Sequence, residues 1–270
     1  MRPEMMPHAG SHTGSRGARR AVLIARLTAA GLVFTAGAIA VLPFAAVTLC
    51  RARHGYAAWA RVLARLGLWI CGVHVRIHRD GPWPAGQVVY ISNHPSSLDL
   101  FALVALGMPN TRFFLWGGLK NAGPVGLFAR LMGTFFTVTQ DRPAERTKIF
   151  TDATEELRRT GESVYLSPEG ERVPGGRIGH FNKGSFHLAT SLKASIQPMY
   201  FFIPPAVDPG RSLDIRPGAV EVYIQPLIDT QAWRVEDVER NRDRVREMFE
   251  RWHRAIREAH GVPSIDPTVD

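Results

Sequence analysis

Lysine is nearly missing from this chain: four of its 33 basic residues are Lys and the other 29 are Arg. So lopsided a bias tracks genome composition as readily as function, and the net charge of +9 therefore carries modest weight. It suits an anionic lipid surface or an anionic substrate. No basic stripe with interleaved aromatics occurs, so a nucleic-acid partner is not indicated. Cysteine is as scarce. Cys50 and Cys71 form no Cys-x-x-Cys pair and join no Cys/His cluster, which excludes a disulfide framework and a zinc site and suits a reducing compartment. The Gly-x-Ser-x-Gly elbow of serine hydrolases is absent too, and so is any internal repeat.

Charge itself is missing from residues 27–50, a gap of 24 positions. That run is long enough to cross a bilayer. It exceeds a secretory h-region and lacks a convincing cleavage site, so residues 21–72 read as a membrane anchor. Residues 1–20, rich in Gly, Ser, His and Arg, read as a disordered basic tail. Arg16, Arg19, Arg20 and Arg26 precede the apolar run, while Arg51, Arg53, Arg61 and Arg65 follow it. Equal flanks give the positive-inside rule nothing to choose between. With Pro43 placed to break the run, they favour a hairpin with both ends on one side over a true span. Trp59, Val62, Leu63, Leu66 and Ile70 then recur at helical spacing with Arg61 and Arg65 opposite. That pattern is an interfacial amphipathic helix or a plain core helix.

What is present in quantity is alternation. Residues 73–77, 88–91, 111–116, 134–139, 163–166, 194–203 and 220–224 read as strands. Residues 98–106, 125–132, 144–160, 186–192 and 235–259 read as helices, several closed by glycine. The expected fold is α/β, a mostly parallel sheet with helices on both faces, preceded by a helical membrane anchor. The catalytic domain would occupy residues 73–260, with a loose tail at 261–270.

Chemistry-bearing residues gather where strands run into helices. Residues 92–99 read Ser, Asn, His, Pro, Ser, Ser, Leu, Asp. A loop histidine and an aspartate in the next helix's first turn can face each other. Asp99 could then orient His94 and stabilise its cation, leaving the other ring nitrogen as general base. Taken alone, His-x4-Asp is also a common accident, with Asp99 a simple first-turn acid. Ser167, Pro168, Glu169, Gly170, Glu171 and Arg172 follow a strand in the same way. There Arg172 beside the Gly170 turn can hold a phosphate, with Glu169 orienting it or meeting a hydroxyl; the plainer reading is a tight turn with a solvated ion pair. Asp141 and Arg142 repeat the arrangement. Lys183 opens a helix, where a cation is disfavoured unless an anion binds beside it.

Together these stretches resemble the glycerolipid acyltransferase family. Asn93, His94 and Asp99 match its Asn-His-x4-Asp motif. Gly133, Phe136 and Arg142 match its Gly-x-x-Phe run ending in Arg, although the Arg stands about two residues late. Pro168, Glu169, Gly170 and Arg172 match Pro-Glu-Gly-x-Arg, trailed by Phe181, Lys183 and Gly184, and residues 196–199 resemble the family's apolar-x-Pro segment. The lysine that relatives often carry just before Leu119 is absent; Lys120 stands in a different register. The resemblance covers roughly residues 73–205. It implies a membrane-associated enzyme on the cytoplasmic face of the cell membrane, moving a fatty acyl chain from acyl-CoA or acyl carrier protein to a lysophospholipid hydroxyl without a cofactor or metal. His94 would be the base and Asp99 its orienting partner; Asn93, Arg142, Glu169, Gly170, Arg172 and Lys183 would bind substrate. The acceptor implied first is 1-acyl-glycerol-3-phosphate, with glycerol 3-phosphate or another lyso-lipid as alternatives. A serine esterase using Ser92, Ser96 or Ser97, and a non-catalytic lipid-binding protein on the same fold, are the rival readings.

Overall fold

The computed structural model describes residues 12–173, 177–209 and 214–263, excepting the side chains of residues 12–16. Seven strands form one sheet: β1 (Val73–His78), β2 (Val89–Ser92), β3 (Thr111–Trp116), β4 (Phe135–Thr137), β5 (Ser163–Leu166), β6 (Ile196–Phe202) and β7 (Gly218–Ile224). Their spatial order is β1-β7-β6-β2-β5-β3-β4. Only β6 and β7 pair antiparallel; every other neighbour is parallel. The expected α/β architecture is the observed one.

The strands at the middle of the sheet are buried on both faces, so their sequences are unbroken apolar runs rather than alternations. Alternate residues still choose opposite cores. Tyr90 and Tyr165 point into one, and Val89, Ile91, Val164 and Leu166 into the other. The first core is roofed by α1 (His12–Val47), α2 (Arg53–Ile70), α3 (Leu98–Leu106) and α4 (Gly123–Leu131). The second lies under α5 (Pro143–Thr160), α6 (Gly184–Leu192) and α7 (Val238–Ala259).

Two expectations about the N-terminus are corrected. Helix already runs from His12, so residues 12–20 are not an irregular tail; residues 1–11, like 264–270 at the other end, lie outside the described residues. Pro43 does not break the apolar run either. It sits inside α1, which continues to Val47 before a turn with Leu49 and Cys50 at positive φ. The hairpin is instead built by α1 and α2 together, antiparallel, with Phe34 against Gly67, Gly37 against Leu63 and Phe44 against Gly55. By length and composition α1 is the one described helix able to cross a membrane, and only 22% of its apolar window is buried.

Helix α2 divides its apolar residues between two faces. Tyr56, Ala60, Leu63, Ala64 and Leu68 enter the core, while Trp59, Val62, Leu66 and Trp69 stay exposed. Its arginines serve α3. Arg65 donates through Nε to the Ala105 carbonyl at 3.0 Å, and Arg61 lies against Gly107, whose φ of 65° closes that helix. Cations placed at the carbonyl end of α3 offset its dipole.

Candidate active site

Strands β2, β5 and β3 end side by side, and the loops leaving them enclose a pocket of about 690 Å³. Ligands of open parallel sheets bind beyond the carboxyl ends of strands, and this pocket lies there. His94 stands on the loop after β2. Its Nδ1 meets Asp99 Oδ2 at 2.8 Å, which leaves Nε2 free. Asp99 is 1% exposed, in the first turn of α3.

The local sequence explains why the carboxylate is so well placed. Ser96 Oγ accepts the Leu98 N–H at 2.9 Å, and the Ser96 N–H donates back to Asp99 Oδ2 at 3.2 Å. This reciprocal closure resembles a capping box, and Ser-x-x-Asp was its legible signal. Burial alone would push His94 down. The Asp99 hydrogen bond and charge, with the Glu169 charge, outweigh it and leave the imidazole above its ordinary value. Burial pushes Asp99 up, opposed by its bonds to His94 and the Ser96 N–H.

The Pro-Glu-Gly-x-Arg loop does something other than what its sequence suggested. Glu169 is 3% exposed and accepts two backbone N–H groups, from His94 at 2.6 Å and from Gly179 at 2.7 Å. The His94 carbonyl in turn accepts the Val173 N–H at 2.9 Å. Glu169 is therefore a buried clamp on the histidine's backbone. Burial pushes its carboxyl up to about 7, against the pull of the two N–H groups. Gly170 takes a φ of 72° where a Cβ would meet Asn182 at 2.8 Å, and it lines the pocket.

Asn93 is a clamp as well. It is 4% exposed and exchanges two hydrogen bonds with the Phe201 backbone, at 3.0 and 2.8 Å, tying the loop to β6. Arg172 does line the pocket, with Nη1 donating to Ser97 Oγ at 2.8 Å. Arg142 does not. It turns outward and pairs with Glu145, while Arg146, one turn further along α5, enters the pocket with Gln140 and Thr139. Lys183 pairs with Glu239 of α7 and lies outside this pocket. Lys120 rests over the Phe136 ring, 5.1 Å from its centroid, and is not in the lining. Arg146 carried no motif signal; its place follows from the helical turn that separates it from Arg142.

The serines of a rival esterase mechanism are occupied. Ser96 donates to Asp208, Ser97 accepts from Arg172, and Ser92 meets the Tyr165 hydroxyl at 2.9 Å. The Ser167 Oγ is buried in the pocket wall and has no partner among the described residues. From the pocket floor an apolar cleft lined by Phe34, Phe101, Val104, Phe128 and Met132 continues under α1 and α2, sharing Leu100 and Leu115 with it.

Residues 74–202 match the family model described as Acyltransferase. Residues 74–202 thus form a domain of the Acyltransferase family. This acyltransferase is 26% identical over 225 residues to the 1-acyl-sn-glycerol-3-phosphate acyltransferase alpha of Ovis aries, covering 80% of this chain and 76% of that one. The human alpha protein gives 26% over 225 residues, with 80% and 77% covered. The human beta protein gives 29% over 154 residues, with 57% and 55% covered. In fold the acyltransferase is similar to the crystal structure of the 1-acyl-sn-glycerophosphate acyltransferase PlsC of Thermotoga maritima, at a TM-score of 0.74 and 18% identity over 90% of this chain and 97% of that one.

Proposed function

We propose that the acyltransferase moves a fatty acyl chain from an acyl thioester to the free hydroxyl of a lysophospholipid, with 1-acyl-glycerol-3-phosphate as acceptor and phosphatidic acid as product. The observation that carries this is the 2.8 Å His94–Asp99 bond facing a pocket that also holds Arg172. With Nδ1 committed to Asp99, Nε2 takes the acceptor's proton as its oxygen attacks the thioester carbonyl. A C–O bond forms, the C–S bond breaks, and the proton passes from His94 to the departing thiolate. Arg172 supplies the cation for the acceptor's phosphate, and the unpartnered Ser167 hydroxyl is free to donate to it. The apolar cleft sharing Leu100 and Leu115, about 50 Å³ in this structure, marks the direction in which the acyl chain lies.

The exposed apolar residues of α1 and α2, among them Leu32, Ile39, Leu42, Val62 and Trp69, rest in the bilayer, with the catalytic domain on its cytoplasmic face. Both acyl product and lyso-lipid acceptor live at that interface. The test is an acceptor screen in detergent or vesicles with a labelled acyl thioester, offering 1-acyl-glycerol-3-phosphate, glycerol 3-phosphate and a lyso amino-acid lipid. Labelled phosphatidic acid from the first, abolished in His94→Ala, is the expected result. Transfer to another acceptor in its place sinks this substrate assignment.

A further inference from the structure

A second groove, of about 550 Å³, runs between α5 and α6. It shares Gln140, Arg146 and Phe150 with the catalytic pocket, so the two adjoin. We propose that this groove seats the phosphopantetheine arm of the acyl donor, the group that coenzyme A and acyl carrier protein have in common. The inference rests on the acyl-transfer reading above.

Three observations point the same way. The first is position. The groove lies on the α5–α6 face of the sheet, opposite the apolar surface of α1 and α2, and its neighbourhood exposes Lys148, Asp152 and Arg159. A water-soluble carrier arrives from that side, whereas a lyso-lipid arrives from the apolar one. The second is chemistry. Arg146, Thr147, Thr151, Lys183, His187 and Ser191 line the groove, offering cations for a phosphate and hydroxyls for the two amides of the arm. Arg146 spends one N–H on the Val138 carbonyl at 3.1 Å and makes no ion pair among the described residues. Burial and the Lys183 charge push His187 down, so it presents a neutral ring with one donor and one acceptor. The third is size, since small-ligand sites run from roughly 300 to 1,000 Å³.

This layout also orders the donor along the site. The acyl chain points toward the apolar cleft under α1 and α2, the thioester carbonyl sits at His94, and the arm leaves past Arg146 toward α6. Lys183, found at the groove rim with Glu239, gains a role on the donor side that its place outside the catalytic pocket denied it on the acceptor side.

Thr151→Glu and His187→Glu test the assignment, because both side chains are exposed and each change sets a negative charge in the groove away from His94. Donors are acyl-CoA, acyl carrier protein loaded with the same chain, and S-acyl-N-acetylcysteamine, which keeps the thioester and lacks the phosphate. Selectivity of kcat/KM for each phosphate-bearing donor that the wild type accepts, over the truncated thioester, should fall at least about tenfold in both variants, while the acceptor KM stays within about twofold. Which of the two carriers the wild type uses identifies the source of the arm. Unmoved selectivity, or a rise in acceptor KM in its place, overturns the proposal. A wild type that moves no acyl chain from any donor refutes the functional reading itself, whereas an active wild type with unmoved selectivity refutes only the groove.

Discussion

At the scale of single residues, the site separates groups that meet substrate from groups that hold those groups still. In the proposed mechanism His94 acts in its neutral form, and the Asp99 hydrogen bond and charge, against burial, hold its pKa above the ordinary 6.5 of histidine. The acid limb of kcat/KM should therefore sit above that value. In Asp99→Asn the charge that raises His94 is gone, so the limb should move to lower pH while kcat falls by roughly 10²–10⁴. A limb that stays in place would remove Asp99 from the imidazole's electrostatics. Glu169 and Arg172 lie three residues apart in one motif yet do different work. Glu169→Ala strands two partly buried N–H groups, which costs up to about 1–3 kcal/mol each and loosens the His94 loop. We expect a lower melting temperature and a lower kcat with acceptor KM little changed. Arg172→Ala should do the reverse, raising acceptor KM at least about tenfold with little loss of stability. A Glu169→Ala variant whose acceptor KM rises like that of Arg172→Ala would return Glu169 to the substrate.

At the scale of elements, α3 carries Asp99, the partner of His94, and both of its ends are secured. Ser96 and Asp99 close its first turn, Arg65 donates to the Ala105 carbonyl from α2, and Arg61 packs against Gly107 at its end. The α1–α2 pair depends on two glycines. A Cβ on Gly37 would come within 2.5 Å of Leu63, and one on Gly67 within 2.8 Å of Phe34. Trp59 Nε1 also donates to the Gly37 carbonyl at 3.1 Å, which fixes the crossing. Gly37→Leu overpacks that contact and should destabilise by about 1–3 kcal/mol, read as a lower denaturation midpoint. No change in the midpoint would mean that the two helices part freely. None of this pairing was legible beforehand. The periodicity of α2 grouped Trp59, Val62, Leu63 and Leu66 as one stripe, and only the packed structure shows Leu63 turning inward from the other three.

At the scale of the whole molecule, one face is apolar and the other charged, with the catalytic pocket between them. The exposed stripe on α2 provides a measurable consequence. Val62→Asp with Trp69→Asp alters two side chains that are 60% and 67% exposed, so the fold should survive. Association with anionic vesicles should fall at least about tenfold, since two apolar contacts are replaced by charges that lipid phosphates repel. Unchanged vesicle binding would place the membrane contact elsewhere.

The strand and helix order, the α/β class, the long apolar helix and the His94–Asp99 pair were all legible in the chain. Each rests on local periodicity or on a spacing of a few residues, and short-range geometry leaves those little freedom. Roles within the motifs were not. Glu169 and Asn93 looked like polar groups for a ligand, yet each bonds backbone on another loop or strand more than 70 residues away, and Glu169 holds the Gly179 N–H besides. Arg142 looked like the cation of its motif, but the turn into α5 points it outward and brings Arg146 in. Sequence determines which residue types stand at the end of a strand. Which of them reaches the pocket, and which is spent satisfying buried N–H and C=O groups, is decided only when distant loops pack together, because burial creates the unsatisfied groups that claim them.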